Sequence, residues 1–139
     1  MTTIRASATR TWPSGWVFRV VVTLHLVAVV AQPVFAGVYL SGDFDALGWH
    51  EMGANVVTGF GYAQLIVAIV VFVRLRVRWA LPMSIGVAVA ETLQYYVGEH
   101  GPLWLHIPLG VGIVVALVMQ FVTVWRRPIA KQESGDARA

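Results

Sequence analysis

Four long apolar runs, at residues 17–40, 52–73, 79–97 and 105–125, alternate along this chain with short polar or glycine-bearing connections. A hydrocarbon layer of about 30 Å takes about 20 apolar residues in helical form, so each run predicts one transmembrane helix, the third being the shortest. The first run is too long for the apolar region of a signal peptide and reads as a span. The connections at residues 41–49 and 98–104 carry Gly42, Gly48, Gly101 and Pro102 and can turn tightly. Short connections make chain neighbours antiparallel. The pattern therefore predicts an all-α integral membrane protein, a four-helix up-down-up-down bundle.

The polar residues inside the runs repeat. His50 and His106 each open a run, and each is followed fourteen residues later by the only glutamine of that run, Gln64 and Gln120. Fourteen residues is nearly four helical turns, so each pair shares a face. Upstream, Gln32 precedes Gly37 and Gln94 precedes Gly98 at similar spacing. The bundle reads as two pseudo-repeated hairpins with an imidazole at the same depth in each.

Composition agrees with a membrane solvent: 58% of the 139 residues are hydrophobic and 12% charged, with a mean hydropathy of +0.70. All ten Lys and Arg residues fall on one side of the plan: Arg5, Arg10 and Arg19 around the start of span one, Arg74, Arg76 and Arg78 between spans two and three, and Arg126, Arg127, Lys131 and Arg138 at the end. The other two connections hold Asp43, Asp45, Glu51 and Glu99 instead. The positive-inside rule then predicts a multi-pass cell-membrane protein with both termini cytoplasmic: a tail at 1–14, the bundle at 15–127 and a second tail at 128–139. Because the arginines flank membrane spans, the pI of about 9.8 does not imply nucleic acid, which is excluded as a partner. The chain has no cysteine, which excludes disulfides, iron–sulfur clusters, thiolate zinc sites and covalent haem attachment.

Two histidines on spans two and four face each other across the diagonal of such a bundle, a gap of about 11 to 14 Å between axes when neighbours are about 8 to 10 Å apart. That gap suits two imidazoles and one metal, best a haem iron. Gly53 with Ala54, and Gly110 with Gly112, follow the two histidines and leave room for a large flat ligand. Small residues also serve ordinary helix packing in membranes, and histidines at span ends also meet the interface. His25 lies about 12 Å deep in span one, on a polar stripe with Gln32 and Tyr39, and has no second histidine at its level. One non-covalent haem b is expected, not two. Glu91, inside span three and on one face with Gln94, Tyr95 and Gly98, is the costliest residue to place in hydrocarbon, and Gln64 and His25 are its candidate partners. His25, Gln32, Glu91 and Gln94 form a possible proton or polar relay. Trp16, Trp49, Trp79, Trp104 and Trp125 fall at span ends, as an aromatic belt requires. His100 is expected to stay solvated in its loop.

The stretch Leu93-Gln94-Tyr95-Tyr96-Val97-Gly98, a short connection, and then Leu105-His106-Ile107-Pro108-Leu109-Gly110 resembles the third and fourth helices of one half of haem A synthase. The resemblance covers one half only, over residues 17–125. It implies histidine ligands near the outer surface on the second and fourth helices, the places of His50 and His106. The family's catalytic half surrounds its histidines with a glutamate-containing motif. Here the nearby acid is Glu51, about 100° around the helix from His50, so the resemblance does not carry the catalytic chemistry. Small b-type membrane cytochromes with bis-histidine haem are the broader class.

Two functions follow from different classes. One is a b-type cytochrome transferring electrons near the outer face, with quinol, a larger respiratory complex or a second copy as partner. The other is a cofactor-free accessory or assembly subunit of a larger respiratory membrane complex. Transport is disfavoured, since no pair of broken helices is evident. The orientation is testable directly because the chain lacks cysteine. An impermeant thiol reagent on intact cells should label Asp43→Cys, and should label Lys131→Cys only after the membrane is opened; the reverse pattern would overturn the orientation.

Overall fold

The computed structural model describes residues 12–129, which form four helices: α1 Pro13–Leu40, α2 Ala46–Leu75, α3 Ala80–His100 and α4 Leu103–Arg126. The tails at 1–14 and 128–139 lie almost wholly outside the described residues; at the N-terminal border, α1 already begins at Pro13, where the fixed φ and missing N–H of proline suit a first helical position. α1, α2 and α4 are long and apolar enough to cross a membrane. α3 has 21 residues and is less apolar because it carries Ser84, Glu91, Thr92 and Gln94.

The helices run past the apolar windows that announce them. The expected connections at 41–49 and 98–104 shrink to residues 41–45 and 101–102, and His100 ends α3 instead of lying in a loop. A helix satisfies its own backbone, so polar turns such as those around Glu51 and Glu99 remain helical as they leave the hydrocarbon. At the first connection the Asp45 amide donates to Asp43 Oδ1 at 3.2 Å, and Gly42 takes a φ of 105° that favours glycine.

α1 packs on α2 and α4, and α3 packs on the same two helices. The diagonal pairs, α1 with α3 and α2 with α4, meet through side chains. Most large apolar side chains point outward, among them Val27, Ile66, Val89 and Val111 at 60% or more exposure. Lipid contact explains this inversion, for a hydrocarbon solvent gives no reason to hide them. The interior is layered. Phe18, Val22, Val71, Leu75 and Val124 form an apolar layer at the basic end, and Val29, Val57, Val87, Ile113 and Leu117 form a second cluster nearer the other end.

Arg19 closes the basic end. Its Nε donates to the Val124 carbonyl at 3.1 Å, supplying a partner and a positive charge where α4 leaves its last carbonyls open. Its guanidinium lies 5.0 Å from the Trp16 ring and 5.4 Å from the Trp125 ring. Phe18 is fully buried beside this corner. Phe18→Ala should lower the thermal midpoint of the detergent-solubilised protein by the equivalent of about 3 kcal/mol, whereas Val27→Ala on the lipid face should leave it within a degree or two; equal effects would contradict this packing.

Candidate functional site

The interior polar residues assemble on two levels. At the inner level His25 of α1 is fully buried and uses both ring nitrogens: Nδ1 lies 3.0 Å from Gln64 Oε1 and Nε2 lies 2.7 Å from Glu91 Oε1. Gln64 Nε2 donates across the diagonal to Gln120 Oε1 at 3.1 Å, and Gln120 Nε2 donates to Ser84 Oγ at 2.9 Å. Glu91 and Ser84 both belong to α3, so the chain of contacts leaves and returns to that helix after touching α1, α2 and α4. Both glutamine amides find acceptors, whereas His25 Nε2 and Glu91 Oε1 meet at ion-pair distance without hydrogen-bond geometry. Because Gln64 Oε1 can only accept, the His25 Nδ1 carries a proton. An acid and a base side by side offset one another, which is how two titratable groups become tolerable in hydrocarbon.

Of the two partners expected for Glu91, the structure selects His25. Its second oxygen, Oε2, has no partner and points at Gly61 of α2, where any Cβ would collide with it. Glycine at 61 is what allows α2 and α3 to close over a carboxylate. Sequence reasoning misses Gly61 and Ser84. The signal for Ser84 is its seven-residue spacing from Glu91, which places both on one face of α3.

At the second level, here called outer because it is the farther from the basic end, about 21 Å from Gln64 along α2 by helical rise, His50 of α2 faces His106 of α4. Their ring centroids are 6.1 Å apart and their planes meet at 76°. His50 Nδ1–H donates to the Gln32 carbonyl at 3.2 Å, which leaves Nε2 with its lone pair. The Gln94 amide nitrogen lies 3.2 Å from His106 Nε2, while His106 Nδ1, Gln94 Oε1 and Gln32 Oε1 are buried without partners. Three glycines border this level. The Gln32 amide fills the notch at Gly53, the Gln94 amide lies 3.0 Å from where a Cβ of Gly110 would stand, and His106 Cε1 lies 2.9 Å from the corresponding point at Gly98. Gly112 faces no interior neighbour.

The remaining candidates stand apart. His100 is exposed and stacks on Tyr96 with centroids 5.0 Å apart, and Tyr95 donates to Asn55 on the outside of α2 at 3.2 Å. Among the described residues no three His, Asp or Glu side chains gather as a bare metal ion would require; the outer level offers two imidazoles and amides. The chain matches no protein-family model, no curated protein and no solved structure. Its site must therefore carry the functional argument.

The inner level makes a stability prediction. Glu91→Gln should keep a polar partner for His25 Nε2 and hold the thermal midpoint close to that of the parent, whereas Glu91→Ala should leave Nε2 without one and cost about 1 to 3 kcal/mol. A parent-like midpoint for Glu91→Ala would show that the contact does not hold the helices.

Proposed function

We propose that this chain is a b-type membrane cytochrome: an up-down-up-down bundle of two related hairpins, termini in the cytoplasm, in which His50 and His106 hold one non-covalent haem b near the outer face. The observation that supports it most is the 6.1 Å separation of the two rings on diagonal helices. Two metal–nitrogen bonds of about 2 Å each, plus the half-width of each ring at about 1 Å, require roughly 6 Å between centroids. The tautomer of His50 also fits. A backbone carbonyl that accepts from Nδ1–H turns the basic Nε2 toward a metal and fixes the ring.

The orphaned atoms of Gln32, Gln94 and His106 point the same way. Each costs about 1 to 3 kcal/mol while buried and unpaired, and a ligand with its own polar groups at this level relieves that cost. Gly53, Gly98 and Gly110 supply the notches for a flat macrocycle, with Gln32 and Gln94 as flexible side chains that can withdraw from them. Bound haem supplies one-electron redox chemistry. His50 and His106 would hold and orient it, Gln32 fixes the His50 ring through its carbonyl, and the Val29, Val57 and Ile113 layer beneath would keep water from the inner level. The electron partner is then a quinol or a larger respiratory complex at the outer side, because one haem cannot span about 30 Å of hydrocarbon.

A second reading has its own support. The inner polar ring closes on all four helices without any cofactor, as suits an accessory subunit docking through its lipid-facing surfaces. Absorption separates the two. Protein purified from haem-supplied cells should show a Soret band with sharp reduced bands, lost or converted in His50→Ala and in His106→Ala and intact in His100→Ala. A colourless, folded parent protein, or unaltered haem in both ligand variants, would overturn the cytochrome.

A further inference from the structure

The free oxygen of Glu91 sits behind a groove that opens to lipid. Glu91 is 6% exposed, and its unpartnered Oε2 lines a narrow crevice between α2 and α3 with Thr58, Gly61, Tyr62, Ala88 and Thr92. Immediately outside lies an open groove of about 540 Å³. Tyr62, Ala88 and Thr92 line both spaces. The groove walls are Leu65, Ile85, Val89 and Leu93, with Tyr62 and Tyr96 as aromatic rims. The crevice is too narrow to admit a water molecule, so an occupant of the groove reaches Glu91 only if the half-exposed Tyr62 side chain moves aside.

We infer that this groove binds a membrane-dissolved hydroquinone, its ring between Tyr62 and Tyr96 and one ring hydroxyl donating to Glu91 Oε2. The requirements come from the lining. The walls are apolar and open sideways to acyl chains, so the occupant arrives from the bilayer and carries a hydrophobic body. The two threonine hydroxyls of the crevice already donate to their own helices and the Glu91 oxygen lacks a donor, so a hydroxyl brought by the occupant meets an acceptor there. A volume within the range of small-ligand pockets and a slot bordered by two aromatic rims suit a flat ring better than a branched head. A phospholipid head is excluded by the lining, which has no cation for a phosphate. A phenolic hydroxyl is also a stronger donor than an aliphatic one, which favours a hydroquinone over an alcohol at Oε2.

The occupant is of the quinol class proposed above, but its hydroxyl end lies at the inner level and the site does not depend on the histidines holding haem. The test is equilibrium binding of a decyl hydroquinone, kept reduced under anaerobic conditions, to the full-length protein in detergent by titration calorimetry. Saturable one-to-one binding is expected, at least tenfold weaker for the matching quinone, which lacks the donor, and for decanol, which lacks the ring. Thr92→Phe fills both spaces from a lipid-facing position that leaves the core untouched, and should weaken binding tenfold or more. Glu91→Leu should abolish it. Infrared difference spectra should show a carboxyl band that shifts when the hydroquinone binds and is missing in Glu91→Gln. The variant lacking both His50 and His106 side chains should bind as the parent does, which separates this site from the haem proposal. Non-saturable uptake, equal affinity for all three compounds, or undiminished binding by Thr92→Phe would overturn the inference.

Discussion

The contact between His25 and Glu91 is the constraint around which the rest of this bundle is arranged. In water a four-helix bundle is assembled by burying apolar faces, but a hydrocarbon solvent is as apolar as those faces and supplies no such force. A carboxyl and an imidazole at mid-membrane are each prohibitive alone. Paired at 2.7 Å, each offsets the other, and they can only be paired if α1 and α3 stand at a fixed distance across the bundle diagonal. The glutamines extend the same logic. Gln64 and Gln120 meet across the other diagonal at 3.1 Å, so both diagonals are fixed at one level by groups that hydrocarbon would otherwise penalise.

That inner level sets what the outer level can do. α2 and α4 are held at a separation that lets two amide side chains touch, and some four turns further along each helix the same separation brings His50 and His106 to 6.1 Å between rings. The spacing of a candidate metal pair is thus inherited from a hydrogen bond about 21 Å away by helical rise. Glycine supplies the tolerance. Gly61 admits Glu91, Gly53 and Gly110 admit the two outer glutamines, and Gly98 admits His106; a methyl group at any of these positions would force a neighbour to move.

Much of this was legible in the chain. Apolar runs gave the number and order of helices, and the fourteen-residue spacing placed His50 with Gln64 and His106 with Gln120 on common faces, which the structure brings against each other. Helix ends were less legible, because hydropathy marks where lipid begins and not where backbone hydrogen bonding stops; α2 accordingly starts at Ala46, before the apolar window. The partner of Glu91 stayed open between two residues on different helices, since sequence fixes the face of a helix but not the rotation of its neighbours. Ser84 and Gly61 escaped notice for a related reason. A serine or glycine among many small residues acquires meaning only from the side chain that arrives opposite.

If the outer imidazoles hold one haem iron as proposed, the helices that carry them set both their separation and the angle between their planes. Electron paramagnetic resonance of the oxidised, purified protein tests it most directly, because the signal of a bis-imidazole ferric haem depends on the angle between the ligand planes. Planes at 76° predict a strongly anisotropic low-spin signal of the kind given by near-perpendicular imidazoles. A high-spin signal alone, or no haem iron in folded protein, would contradict the account.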